Sequence, residues 1–386
     1  MTGSFHAASS RMLPIETGEQ MKHHEEEAVN IMRDEIRTRK NGGGLLKKAT
    51  MRGLLGALAM LSLSSLWHAA ADTSVEGIVD PTIKPYFEAM KGKKIGYVPF
   101  SMSYDLSKGW YAGMQIQAKE LGYEIITRDP NWNTDVGVQA MDQLINAKPD
   151  IIVLQNPDLQ SYAKLLKRGT EAGIHFISVN IKSAYPTYYI GEEWELNGEA
   201  EAQYIVDKCG AGTGRSGKVA VVQGILTSAA SAYQIRGVTE VFSKHPEIQI
   251  VSNQSANWDA GKAHEITQSV LQQNPDLCGV IGFWDGMDIG AGSAVKEAHM
   301  EDKVFVVSSG GGYKEAACDR LMDGTYAAYF SYDVRGQARD INNLIRILLQ
   351  SKPAPDAPKF TLPTRGELLT KDNIKPGSCW TMDDFK

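Results

Sequence analysis

Eight short apolar runs punctuate the chain, and each ends on a polar, glycine, proline or aromatic residue or an alanine that follows one. The first four are IGYVPF, ending at Phe100; YEIITRDP, ending at Pro130; DIIVLQNP, ending at Pro157; and HFISVN, ending at Asn180. The second four are GKVAVVQG, ending at Gly224; IQIVSNQSA, ending at Ala256; CGVIGFWD, ending at Asp285; and KVFVVSSG, ending at Gly310. The runs are continuous rather than alternating, which predicts parallel strands covered by helices on both faces. The segments between them carry apolar residues at helical spacing. Leu106, Trp110, Met114, Ala118 and Leu121 form one such stripe, and Val138, Met141, Leu144 and Ile145 the next. Leu159, Tyr162, Leu165 and Leu166 predict a third helix. Ile235, Val238, Val241 and Phe242, and then Ala263, Ile266, Val270 and Leu271, do the same in the second half. Strand alternating with helix gives an α/β fold of two similar doubly wound parallel-sheet lobes.

The halves echo each other. Lys148-Pro149-Asp150 precedes one strand and Asn274-Pro275-Asp276 precedes its counterpart, so in each a proline closes a helix. The lobes are expected to meet near 190–197 and again near 327–333. A helix carrying Ile341, Leu344, Ile345 and Leu348 then returns to the first lobe. This layout assigns 92–195 plus 333–363 to the N-terminal lobe, and 196–332 plus 364–386 to the C-terminal lobe and tail. The stretch 352–386, rich in proline and polar residues, reads as a tethered extension.

An export signal precedes the lobes. Lys47, Lys48 and Arg52 are followed by an apolar run from Leu54 to Leu66 and by Ala69-Ala70-Ala71, a small-residue cleavage site. The apolar run is shorter than the roughly 20 residues of a spanning helix. Residues 45–71 are therefore expected to be a signal peptide, and the mature protein is expected in the periplasm. Residues 1–44 have no core pattern and read as a disordered leader, or as sequence upstream of a true start at Met32 or Met51. The cluster of His23, His24 and Glu25 to Glu27 reads as part of that solvated arm.

Composition narrows the function. Of 386 residues, 42% are hydrophobic and 22% charged, values of an ordinary globular protein. A net charge of -6 argues against nucleic-acid binding, which calls for a basic patch. No G-x-S-x-G elbow, H-E-x-x-H helix or C-x-x-C pair occurs. His175, His245, His264 and His299 are not spaced for metal ligation, so neither metal nor cofactor is expected. Gly210, Gly212, Gly214 and Gly217 precede a strand rather than follow one, which makes them a turn rather than a phosphate loop. Gly310-Gly311-Gly312 follows a strand, where its N–H groups either hold a ligand or form a tight turn. Four cysteines behind an export signal are expected to oxidise. Cys318 is expected to bridge to Cys379, fixing a tail with few apolar residues; Cys209 and Cys278 either pair or stay as buried thiols.

In open α/β sheets ligands bind beyond the carboxyl ends of the strands. Those ends carry Ser101 to Tyr104, Trp132, Asn156, Asn180, Gly224, Trp258, Trp284, Asp285 and Gly310. Aromatic faces suit the C–H faces of a sugar ring, while amides and carboxylates suit its hydroxyls. A cleft without catalytic motifs points to capture of a small solute. The enzyme alternative is a glycoside-acting hydrolase using Asp285 and Asp333 as its carboxylate pair.

The segment IGYVPFSMSYDLSKGWYAGMQIQAKELGY, the Asp150-led DIIVLQNP and Ile235-Arg236-Gly237 followed by Phe242 resemble the periplasmic sugar-binding proteins of ABC importers, of the ribose-binding type. The resemblance runs from about Lys94 to Leu349. It implies a type I periplasmic binding fold whose lobes close on one sugar or polyol, a monomer, and delivery to a membrane permease. A role in serving a chemoreceptor would give the same sequence. Carried over by position, the resemblance implies ligand contacts from Tyr104, Ser107, Asn156, Asn180, Arg236, Trp258, Trp284 and Asp285, and from Tyr332 or Asp333 at the hinge. Leu106 and Ser107 replace aromatic residues of the family's first loop. Asn180 stands where the family often has an aspartate, Ile181 where an arginine follows, and Gly310 where an aspartate is common. These departures imply a pocket unlike a plain ribose site.

Overall fold

The computed structural model describes residues 80–386. The leader, the export signal, the candidate start sites and the His23/His24 cluster lie outside them. A short helix, α1 (Ile83–Met90), precedes the first lobe. Then come β1 (Lys94–Val98), α2 (Asp105–Leu121), β2 (Glu124–Thr127), α3 (Thr134–Ala147), β3 (Ile151–Leu154), α4 (Ala163–Glu171), β4 (His175–Val179) and β5 (Tyr188–Glu192). The second lobe is built from α5 (Trp194–Cys209), β6 (Lys218–Gln223), α6 (Ala229–Phe242), β7 (Gln249–Ser255), α7 (Ala260–Gln273), β8 (Gly279–Gly282), α8 (Asp285–Glu297), β9 (Phe305–Gly310), α9 (Cys318–Met322) and β10 (Ala328–Ser331). The chain returns through α10 (Val334–Ser351) and β11 (Thr361–Thr364), then crosses again to β12 (Glu367–Leu369).

The strand order is β11-β5-β4-β3-β1-β2 in one sheet and β12-β10-β9-β8-β6-β7 in the other. The pairings are parallel apart from β12, which runs antiparallel to β10. Central strands β3 and β4 are buried throughout, which is why their sequences are unbroken apolar runs. Edge strands β2 and β7 remain largely open. The sheets exchange the chain at three crossings: between β5 and α5, between β10 and α10, and between β11 and β12.

Several expectations shift in detail. Leu159 and Tyr162 lie in the turn before α4 rather than inside it. The stretch 352–386 contributes two strands and a short 3-10 turn, Met382–Phe385. That last turn packs on α2 of the first lobe, although β12 belongs to the second sheet. In the Gly310-Gly311-Gly312 segment the Gly312 N–H is used within the fold. Gly312 N–H donates to the Tyr329 hydroxyl at 2.9 Å, and Gly311 carbonyl accepts from the Trp380 indole at 2.6 Å.

Two disulfides close the second lobe. Cys209–Cys278 joins the end of α5 to the residue before β8, and Cys318–Cys379 joins α9 to the tail; their Cα separations are 6.0 and 6.1 Å. Beyond the second bridge Trp380 is only 2% exposed. It reaches both lobes, since its ring also lies against Gly109 of α2, where an added Cβ would approach it to 2.8 Å. Phe385 packs edge-on against Trp380, and Arg335 pairs with Asp384 at 3.6 Å.

Candidate functional site

Strand ends from both sheets meet around a cavity of about 40 Å³, room for a few waters. Its lining holds eight aromatic residues. Phe100, Tyr104 and Trp132 come from the first lobe, and Trp258, Phe283 and Trp284 from the second. Trp194 and Tyr332 come from two of the crossings and pack edge-to-face at 5.1 Å. The rings touch across the lobes: Trp284 lies 5.6 Å from Trp132 and 5.8 Å from Tyr104, centroid to centroid. A captured solute therefore parts these rings and replaces ring–ring contact with ring–solute contact.

One local device, used twice, positions two of the tryptophans. Asn131-Trp132-Asn133 follows β2, and Asn257-Trp258-Asp259 follows β7. In each, the first two residues are left-handed, with φ of 48° and 64° in one lobe and 54° and 64° in the other. The third residue caps the next helix: Asn133 accepts from Val136 N–H, and Asp259 from Lys262 N–H. Asparagine tolerates the left-handed region, whereas tryptophan does so only under constraint. This repeated Asn-Trp-Asx signature is the sequence signal that identifies Trp132, the partner that the carry-over omitted.

The polar lining is uncharged. Among the described residues no Asp, Glu, Lys, Arg or His lines the cavity. Gln155 accepts from the Tyr104 hydroxyl and, at 3.3 Å, from Phe100 N–H. Asn180, at φ 56°, gives its carbonyl to the Tyr189 hydroxyl at 2.9 Å and to the Trp194 indole at 2.6 Å. Its side-chain oxygen accepts from Gln337 at 2.9 Å, and its side-chain nitrogen has no partner. The indole nitrogens of Trp258 and Trp284 are also buried without partners.

The structure thus gathers Tyr104, Asn180, Trp258, Trp284 and Tyr332 into one lining, and it places the other sequence candidates elsewhere. Ser107 is buried in α2, where its carbonyl accepts from the Tyr97 hydroxyl. Asn156 turns inward and donates to the Ser178 hydroxyl and the Ile181 carbonyl, at 2.9 and 2.8 Å; its neighbour Gln155 takes the cavity position. Arg236 projects from α6 into solvent and pairs with Glu195 at 3.3 Å. Asp333 is an exposed helix cap that accepts from Gly336 N–H. Asp285 is buried behind the lining and accepts from the Tyr329 hydroxyl at 2.5 Å. Its carboxyl fills the space beside Gly310, where an added Cβ would meet it at 2.2 Å. Desolvation, and then the nearby charge of Asp105, push the Asp285 carboxyl well above the usual range. Asp285 and Asp333 therefore form no catalytic carboxylate pair. The glutamine at the second crossing is Gln337, and it lies behind the lining.

Buried carboxyls continue below the site. Glu201 accepts from Gln234 at 2.7 Å, and Glu192 accepts from Gly366 N–H at 3.1 Å. Desolvation raises each to about 8.

Two wound lobes, three crossings and an uncharged aromatic cleft define a class: the bilobal binding proteins that take one small solute between their lobes. A family profile described as periplasmic binding protein domain matches residues 95–353, and the chain belongs to that family. It is 36% identical over 267 residues to the D-allose-binding periplasmic protein of Escherichia coli, covering 66% of this chain and 78% of that protein. It is 24% identical to a D-apiose import binding protein of Actinobacillus succinogenes, covering 68% of this chain and 78% of that one. In fold it resembles an ABC transporter solute binding protein from Burkholderia graminis in complex with D-arabinose, with a TM-score of 0.66 at 20% identity, covering 73% of this chain and 96% of that one. These relatives are all named as binding proteins. Among the described residues no helix is long and apolar enough to cross a membrane.

Proposed function

We propose that this protein captures a monosaccharide or polyol between its two lobes in the periplasm and hands it, as a monomer, to an ABC permease. The observation that carries the reading is a cavity between the lobes lined by eight aromatic residues, the amides Gln155 and Asn180, and three aliphatic residues, with no charged group among the described residues. Aromatic faces cover the C–H faces of a sugar ring, and amides meet its hydroxyls in fixed directions. A charged solute would leave an uncompensated charge in such a lining. The names of the curated relatives, D-allose and D-apiose binding proteins, support the same class. Tyr104, Trp132, Gln155, Asn180, Trp258, Trp284 and Tyr332 are proposed as the solute contacts.

The test is a thermal-shift screen of the mature protein against aldoses, ketoses, polyols and amino acids. Binding to the folded state alone raises the melting temperature. Shifts confined to sugars or polyols support the reading, and shifts confined to amino acids overturn it.

A further inference from the structure

Trp110 and Gln337 are fully buried, and neither lines the cavity. They nonetheless determine what the cavity offers. The Trp110 indole N–H donates to Gln337 Oε1 at 3.0 Å. An indole nitrogen only donates, so the oxygen of the Gln337 amide must face it. The two hydrogens of Gln337 Nε2 are shared among three acceptors: the Tyr332 carbonyl at 3.1 Å, the Thr364 hydroxyl at 3.0 Å and Asn180 Oδ1 at 2.9 Å. A flipped Gln337 would set N–H against N–H at Trp110 and oxygen against oxygen at Tyr332. The amide is therefore fixed from both ends. Asn180 follows, because only its oxygen can receive Gln337 Nε2. Its backbone is tied as well: its N–H donates to the Ile190 carbonyl at 2.8 Å, and its own carbonyl is taken by Tyr189 and Trp194. What remains is the Asn180 Nδ2 group, buried and unpartnered on a residue of the cavity lining.

We propose that Trp110 and Gln337 are positioning residues that fix Asn180 as a one-way hydrogen-bond donor, so that the site selects a solute presenting an acceptor oxygen there. The unpartnered indole N–H groups of Trp258 and Trp284 have the same polarity. The matching solute group is a hydroxyl oxygen whose own proton points elsewhere. The inference rests on the sugar or polyol reading for its ligand, while the relay itself exists without one.

The test has two arms. In the first, calorimetry compares D-allose with its monodeoxy and monodeoxyfluoro derivatives, since fluorine accepts and cannot donate. At one ring position the fluoro sugar should bind within about threefold of the parent, and the deoxy sugar about tenfold more weakly. Trp110→Phe keeps a ring in the core but removes one of the two groups that orient Gln337, and the fluoro-to-deoxy ratio at that position should fall towards one. Asn180→Asp should reverse the order. A fluoro sugar weakened as much as the deoxy sugar at every position overturns the proposal, as does a Trp110→Phe protein with an unchanged ratio. The second arm needs no ligand: in the ¹⁵N-labelled protein, Trp110→Phe should move the side-chain NH₂ signals of both Gln337 and Asn180. Unmoved Asn180 signals overturn the relay. Moved signals in a protein that binds no sugar sustain the relay and refute the solute class alone.

Discussion

Trp284 and Arg236 were drawn into one predicted site, and the structure separates them by environment. Trp284 touches rings from both lobes, so Trp284→Ala should weaken solute binding by about tenfold or more in calorimetry. Arg236 makes an exposed ion pair, a kind of contact worth about 0–1 kcal/mol. Arg236→Ala should leave affinity unchanged, and a measurable loss would return it to the site. Asn156 was the sequence candidate, and nothing in the sequence separated it from its neighbour Gln155. Both follow the end of β3 at Leu154, and only the Ser178 and Ile181 contacts of Asn156 show which one turns inward. Trp132 was legible, through the doubled Asn-Trp-Asx motif. The buried carboxyls were not, because nothing in the sequence marks Glu192 and Glu201 as lacking a cation. Their folded values of about 8 lie above the ordinary 4.5, so the native state binds more protons than the unfolded chain between those limits. Stability from these groups is full below about pH 4.5 and is lost as pH rises through about 8. The melting temperature should be higher at pH 5 than at pH 8.5, and Glu201→Gln should narrow that difference. An unchanged difference would show that Glu201 titrates normally.

Helix pairs in the second lobe pack at glycine. An added Cβ at Gly237 would lie 1.9 Å from the Glu195 carbonyl, and one at Gly198 would lie 2.0 Å from the Gln234 carbonyl. The Arg236-Gly237 motif that suggested a ligand contact thus reflects the close approach of α5 and α6. Gly237→Ala should destabilise the protein by about 1–3 kcal/mol in denaturant melts, with little effect on solute affinity. Element order and parallel pairing were readable because buried central strands must be continuously apolar. The strands β11 and β12 were not, because Thr361–Thr364 and Glu367–Leu369 are edge strands with mixed exposure. Both disulfides involve the second lobe, and the tail bridge closes a span of 61 residues. Replacing Cys318 and Cys379 together by serine should cost about 4 kcal/mol by the chain-entropy account. A double variant as stable as the parent would show that Trp380 holds the tail by packing alone.

At the scale of the whole molecule, three crossings join the two lobes and the tail touches both. Trp380 donates to Gly311 on one side and packs on Gly109 on the other, and we expect the tail to act as a strap between the lobes. A chain ending at Ser378 should show a larger radius of gyration in solution scattering without solute, and faster solute association in stopped flow. Equal values for both chains would show that the strap does not restrain opening. The strap also bears on the permease. On the proposed function, a transporter that reads lobe closure would not see inside the cleft. A restraint that favours the closed form raises the fraction of empty molecules wearing the loaded shape, and apparent affinity follows that fraction. The eight terminal residues from Cys379 to Lys386 would then set how often the importer answers a false report.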